Sequence, residues 1–177
     1  VYDGKEHQSV LRYPELFKRS LITYSFGKTF HSTGWKIGYC VAPDYIMDEF
    51  RKVHQWNVFC VNSFEQYALA GYLQDPSSYN YLPDFYQKKR DLLAESMKGS
   101  RFRALDSEGT FFQLFEYDQI SDEEDTAFVK RMTIEHGVAA IPVSVFYSDR
   151  RQVGVIRLCF AKTDDVLYEA GKLLRQI

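Results

Sequence analysis

The chain has 177 residues, enough for one good-sized domain or for pieces of two, and length alone does not decide between them. Hydrophobic residues at 45% and charged residues at 26% are the balance of a soluble globular protein with a real core. The net charge is −2 with no cluster of Lys and Arg, which argues against nucleic-acid binding, and no apolar run approaches the roughly 20 residues of a membrane span.

In chain order, residues 20–26 (SLITYSF) form a short apolar, β-branched and aromatic run that predicts a buried strand. Residues 36–42 (KIGYCVA) predict a second, closed by Pro43. Pro43-Asp44 then opens a helix, because Pro fits a first helical turn and Asp favours its positive end. Ile46, Phe50 and Val53 give that helix an apolar face. A further helix is expected around 63–74. Strands alternating with helices in this way predict an α/β layer with a parallel sheet.

The pattern changes after Asp75-Pro76-Ser77-Ser78. A long charged helix is predicted over 79–98, a helix near 124–136, and strands at 110–116 (TFFQLFE), 138–141 (VAAI) and 153–160 (VGVIRLCF). The last helix, 164–176, has Thr163 as its candidate N-cap, Asp164 and Asp165 in its first turn, and Val166, Ala170, Leu173 and Leu174 as its buried stripe. The expected organisation is residues 1–75 as part of a larger α/β domain and 76–177 as a smaller α+β domain. Cys40, Cys60 and Cys159 are odd in number and far apart, so they read as reduced thiols of a cytosolic protein rather than a disulfide framework or zinc site. The four histidines are scattered, and no metal site is expected. The opening Val1-Tyr2-Asp3-Gly4 has neither initiator Met nor signal peptide and reads as the interior of a longer polypeptide.

The chemistry concentrates in residues 25–39, SFGKTFHSTGWKIGY. Lys28 directly follows a predicted strand, and in open α/β sheets ligands sit beyond the carboxyl ends of strands. Lys36 follows between Gly34 and Gly38, where missing side chains let backbone approach a ligand closely. Of two neighbouring ammonium groups, one becomes a usable amine nucleophile while the other remains a point charge for a phosphate. Ser25 adds a hydroxyl donor. Most lysines after strands are merely solvated. Gly27-Lys28-Thr29 also matches the end of a phosphate-binding P-loop, but the glycine that loop requires five positions earlier is Ile22, so that reading fails.

The segment SFGKTFHSTGWKIGYCVAP resembles the Schiff-base lysine signature of class I/II aminotransferases of fold type I, within the branch of kynurenine, glutamine and methionine aminotransferases. The family pattern of Ser-x-x-Lys, then Arg or Lys eight residues later, then a small apolar residue and Gly, is met by Ser25, Lys28, Lys36, Ile37 and Gly38. The resemblance covers the whole chain as the C-terminal half of such a protein. It implies a pyridoxal 5′-phosphate (PLP) transferase fold, with the last part of the large PLP-binding domain followed by the small domain. Lys28 would form the Schiff base, and Ser25 and Lys36 would hold the cofactor phosphate. Tyr2 resembles the Tyr of the family's Asp-x-x-Tyr, which implies a hydrogen bond to the cofactor's phenolic oxygen; the Asp itself would precede residue 1.

In VGVIRLCF, alternation puts Val155, Arg157 and Cys159 on one face and Ile156, Leu158 and Phe160 on the other. An Arg inside an apolar strand needs an anion or a route to water, so an ion pair is one explanation. Resemblance supplies another: IRLCFA is similar to the segment whose Arg binds the substrate α-carboxylate. Phe59 matches a ring that enters the neighbouring subunit's substrate pocket, with core packing as the alternative, and Phe146 or Tyr147 of GVAAIPVSVFY would approach the substrate. The implied function is transamination between an α-amino acid (methionine, aromatic or glutamine) and a 2-oxo acid by a cytoplasmic homodimer, with no membrane partner and this chain inactive alone. The alternatives are a cysteine-conjugate β-lyase on the same fold and a non-catalytic binding or dimerisation module.

Overall fold

A computed structural model describes residues 1–177. Its contacts divide the chain into two compact units, one of Glu6–Tyr81 and one built from Val1–Lys5 together with Leu82–Ile177. The division falls a few residues beyond the expected boundary, because the turn after Asp75 stays with the first unit, and the first five residues join the second.

The Glu6–Tyr81 unit contains α1 (Pro14–Phe17), β1 (Ile22–Ser25), α2 (Phe26–Thr29), β2 (Gly38–Val41), α3 (Asp44–Asn57), α4 (Ser63–Tyr72) and α5 (Ser77–Asn80). β1 and β2 pair antiparallel, Ile22 opposite Val41 and Ser25 opposite Gly38. The two strands of this unit therefore do not form the parallel pair read from the sequence. Residues 26–37 fold into α2 and a 3-10 turn (Thr33–Trp35) instead of the crossover helix that parallel strands require. Tyr24 and Tyr39 face each other across the ladder with stacked rings 4.8 Å apart, a cross-strand aromatic pair of the kind that stabilises small sheets.

Pro43 stands as the residue before α3 rather than in its first turn. Ile46, Met47 and Phe50 turn partly inward, whereas Val53, expected on that face, is exposed. α4 is capped by Asn62, whose side-chain oxygen accepts from the N–H groups of Phe64 and Glu65 at 3.0 and 3.5 Å.

The other unit comprises α6 (Leu82–Ser96), β3 (Arg103–Ala104), β4 (Phe112–Glu116), α7 (Asp125–His136), β5 (Ile141–Pro142), β6 (Val155–Cys159) and α8 (Asp164–Leu174). The long helix predicted over 79–98 is two helices, and the second restarts with Pro83 in its first turn, where a missing N–H costs nothing. The sheet order is β3-β4-β6-β5, antiparallel throughout. Phe115, Phe128, Met132, Ile156, Phe160 and Leu174 fill the core between sheet and helices. Each such side chain contributes about 1.5–3 kcal/mol of transfer free energy.

α8 buries Leu167, Gly171 and Leu174, with Ala170 and Leu173 packed against the core, so of the expected stripe only Val166 is exposed. Gly171 is needed there because a Cβ at that position would overlap Ser96 of α6. α7 ends on Gly137 at φ 70°, the left-handed conformation that suits glycine after a helix.

Candidate active site

The lysine loop is closed by its own backbone. Phe26 N–H donates to the Ile37 carbonyl at 3.1 Å, and Ser32 N–H donates to the Gly27 carbonyl at 3.1 Å. A Cβ on Gly27 would press against the Thr33 Cα, and one on Gly38 would overlap the Tyr24 carbonyl oxygen. Both glycines are thus required by close backbone approach. Because Ser25 is in register with Gly38, the loop returns Lys36 to the same end of the ladder from which Ser25 and Lys28 depart. Lys36 adopts φ 57°, a left-handed conformation that costs a non-glycine residue about 1–2 kcal/mol. Neither Lys28 nor Lys36, both exposed, takes part in an ion pair. The Ser25 hydroxyl makes no capping bond to α2, and the buried Ser32 hydroxyl oxygen has no hydrogen-bond partner. The loop therefore presents two lysines, an exposed hydroxyl at Ser25 and one unsatisfied hydroxyl at Ser32, a donor set that an anionic phosphate takes.

In the other unit, Arg157 sits mid-strand on β6 while Ile156, Leu158 and Phe160 point into the core, as alternation predicts. Its guanidinium carbon lies 4.0 Å from the Phe112 ring centroid and 4.8 Å from that of Phe146. No carboxylate pairs with it, and its Nε is buried without a partner. A structural ion pair, the bland explanation for a mid-strand arginine, is thus not what the fold provides; cation–π contacts hold the group instead. Phe112 gave no signal in the sequence beyond being one apolar residue of a predicted strand.

Tyr2 belongs to the unit of Arg157, and Ser25, Lys28, Lys36 and Phe59 belong to the other. Tyr2 is 3% exposed, its hydroxyl donates to the Thr110 carbonyl, and the Arg90 guanidinium lies 5.0 Å over its ring. Burial pushes its phenol up to about 12, against the opposing pull of the Arg90 charge. Its single O–H is therefore already committed. Phe59 is 78% exposed at φ 69°, so it does not serve as a core residue of this chain. Of Phe146 and Tyr147, it is Phe146 that meets Arg157, while Tyr147 stacks with Arg151 at 4.1 Å.

Residues 2–171 match the family of class I and II aminotransferases, and the chain belongs to it. It is 50% identical to the methionine aminotransferase of Escherichia coli over 177 residues, 99% of this chain and 46% of that protein. It is 33% identical to human kynurenine–oxoglutarate transaminase 1, covering 99% of this chain and 47% of the relative. Among solved structures it superposes on an E. coli protein identified as a methionine aminotransferase with TM-score 0.95 at 49% identity, over 99% of this chain and 47% of that one. The aromatic aminotransferase of Pyrococcus horikoshii gives TM-score 0.87 at 27% identity, again with 99% and 47% covered. The chain thus spans about half the length of the curated relatives it matches, and its mixed α/β architecture is that of the fold type I aminotransferases.

Proposed function

We propose that this chain supplies the cofactor lysine and the carboxylate-binding arginine of a PLP-dependent aminotransferase. The observation that carries the proposal is the closed loop that returns Lys36 to the ladder end where Ser25 and Lys28 stand, with the buried Ser32 hydroxyl unsatisfied beside it. These residues fit the group: Lys28 offers an amine for its aldehyde, and Ser25 and Lys36 offer a hydroxyl donor and a fixed charge for its phosphate. When bound, the cofactor supplies an electron-withdrawing ring that stabilises negative charge at the substrate α-carbon. With the group bound, Lys28 Nζ would be the amine that holds it, and once free the same amine would stand as the base that takes a proton from the substrate α-carbon and, protonated, as the acid that gives it back. Arg157 orients the α-carboxylate through the in-plane N–H groups that its ring contacts leave free. Tyr2 would join this set only by exchanging Thr110 for the cofactor's phenolic oxygen.

The proposed donors are large and apolar, methionine or aromatic amino acids, with glutamine as a further candidate. Similarity to the E. coli methionine aminotransferase and the rings beside Arg157 support this preference. Exposed Trp56, Phe59 and Phe64 on and between α3 and α4 support a homodimer in which this face is covered. Three free cysteines fit a reducing compartment such as the cytoplasm, and no helix is long and apolar enough to cross a membrane.

The test is borohydride reduction of the encoded polypeptide loaded with PLP, followed by peptide mass spectrometry. The expected result is a pyridoxyl group on Lys28 Nζ and loss of turnover in Lys28→Ala. An adduct on a different lysine, or undiminished turnover in Lys28→Ala, rejects the proposal. Product analysis distinguishes a 2-oxo acid with aminated cofactor from the pyruvate, ammonia and thiol of β-elimination.

A further inference from the structure

Phe146 meets the Arg157 guanidinium, yet its ring is 60% exposed. A ring so poorly packed is placed by the backbone that carries it. That backbone is the 3-10 turn Ser144–Phe146, in which Phe146 N–H donates to the Val143 carbonyl at 3.1 Å and Tyr147 N–H to that of Ser144 at 3.0 Å. The turn is fastened from below by Asp125, the first residue of α7, which is 0% exposed. One carboxylate oxygen of Asp125 accepts the Ser144 N–H at 2.7 Å and the other accepts the Ser144 hydroxyl at 2.6 Å. The Asp125 N–H in turn donates to the Gln152 side-chain oxygen at 2.9 Å. A buried carboxylate is tolerated where two donors and a helix N-terminus satisfy it, and it then fixes those donors tightly.

We infer that Asp125 and Ser144 are positioning residues for Arg157: their paired hydrogen bonds set the turn that holds Phe146 against the guanidinium, and so set how well that arginine takes a carboxylate. This rests on the reading of Arg157 as the substrate-carboxylate residue. Loosening the turn releases Phe146 and gives Arg157 back rotamer freedom that must be lost again on binding. The expected penalty is about three- to tenfold in affinity for one long side chain.

The test uses the encoded polypeptide loaded with PLP, with methionine as donor and 3-(methylthio)propylamine, the same skeleton without the carboxylate, as control. Ser144→Ala is expected to raise KM for methionine about three- to tenfold with little change in kcat, and to leave the amination rate with the amine unchanged. Phe146→Leu, at an exposed position, is expected to raise the methionine KM likewise. Asp125→Asn, which keeps an acceptor for the Ser144 N–H, should retain more of the methionine affinity than Asp125→Ala. If Ser144→Ala and Phe146→Leu leave the methionine KM unchanged while Arg157→Ala raises it, the inference is overturned and the arginine reading stands. Equal losses with methionine and the amine would also overturn it, since that is the mark of general structural damage. If Arg157→Ala itself does not reduce discrimination in favour of methionine, the reading beneath the inference fails.

Discussion

Gly38 and the carbonyl of Tyr24 lie so close across the β1–β2 ladder that a methyl group at position 38 would overlap the oxygen. The neighbour is backbone rather than a flexible side-chain end, so it cannot step aside without opening the ladder that returns Lys36 to Ser25. Gly38→Ala is expected to destabilise the chain by about 1–3 kcal/mol, the usual cost of overpacking, read as a lower midpoint in urea with unchanged slope. An unchanged midpoint would mean that the strands are not held at this separation.

Lys36 separates stability from ligand grip. Its φ of 57° is costly for a lysine and free for glycine, while glycine loses more entropy on folding. The two effects nearly cancel, so Lys36→Gly should keep its thermal midpoint close to that of the parent. If Lys36 holds the cofactor phosphate as proposed, the same change removes a charge worth about 1.5–3 kcal/mol in a charge-assisted bond, and PLP affinity should fall at least about tenfold by absorbance titration. Retained affinity in Lys36→Gly would assign the phosphate to other residues.

Arg157 presents the opposite case. A buried guanidinium nitrogen without a partner costs free energy rather than contributing it. Replacing Arg157 with Leu should therefore leave thermal stability unchanged or raised, while kcat/KM for the amino acid falls by about a hundredfold or more as a bidentate charge-assisted contact is lost. A marked loss of stability in Arg157→Leu would show that the ring contacts matter more to the fold than the orphaned nitrogen.

The alkaline limb of stability carries the signature of two phenols. Burial pushes Tyr117 up to about 12, with Asp125, Glu123 and Glu124 adding to it, and burial likewise raises Tyr2 to about 12. An unfolded tyrosine loses its proton near 10. Between about pH 10 and 12 the unfolded chain thus binds fewer protons than the folded one, and stability falls as pH rises. Below pH 10 the two states bind equally and these phenols add no slope. Tyr117→Phe should flatten this limb in pH-dependent urea unfolding, and an unaltered limb would place the titration elsewhere.

Much of the candidate lysine loop is legible because its residues are local. Ser25, Lys28, Lys36 and Gly38 lie within one loop, so fixed spacing and residue type expose them. The period of its strand puts Arg157 opposite the core-facing Ile156, Leu158 and Phe160, and only the resemblance proposes a ligand for it. Phe112 is not legible, since its role exists only through strand pairing, in which β4 lies beside β6. Asp125 lies at the start of the helix predicted near 124–136, and nothing in the sequence ties it to Ser144, 19 residues on. The exposure of Val53 and Val166 went unread for a related reason: periodicity names an apolar face, and packing decides which of its residues turn inward. The antiparallel pairing of β1 with β2 is not legible from alternating strands and helices, because the loop between these two strands folds back on itself.

Tyr2 plugs a core whose other residues lie beyond position 81, and Asp3 receives both terminal nitrogens of Arg90 at 2.7 and 2.8 Å. That unit is therefore discontinuous in sequence, and its assembly requires closing a loop made of the entire intervening unit. Loop-closure entropy grows slowly with length, by about 0.6 kcal/mol for each doubling, so the arrangement is affordable at equilibrium. Its cost falls on kinetics, where contacts of high sequence separation form late. A shortened chain beginning at residue 82 would have to fold around the gap left by a missing tyrosine.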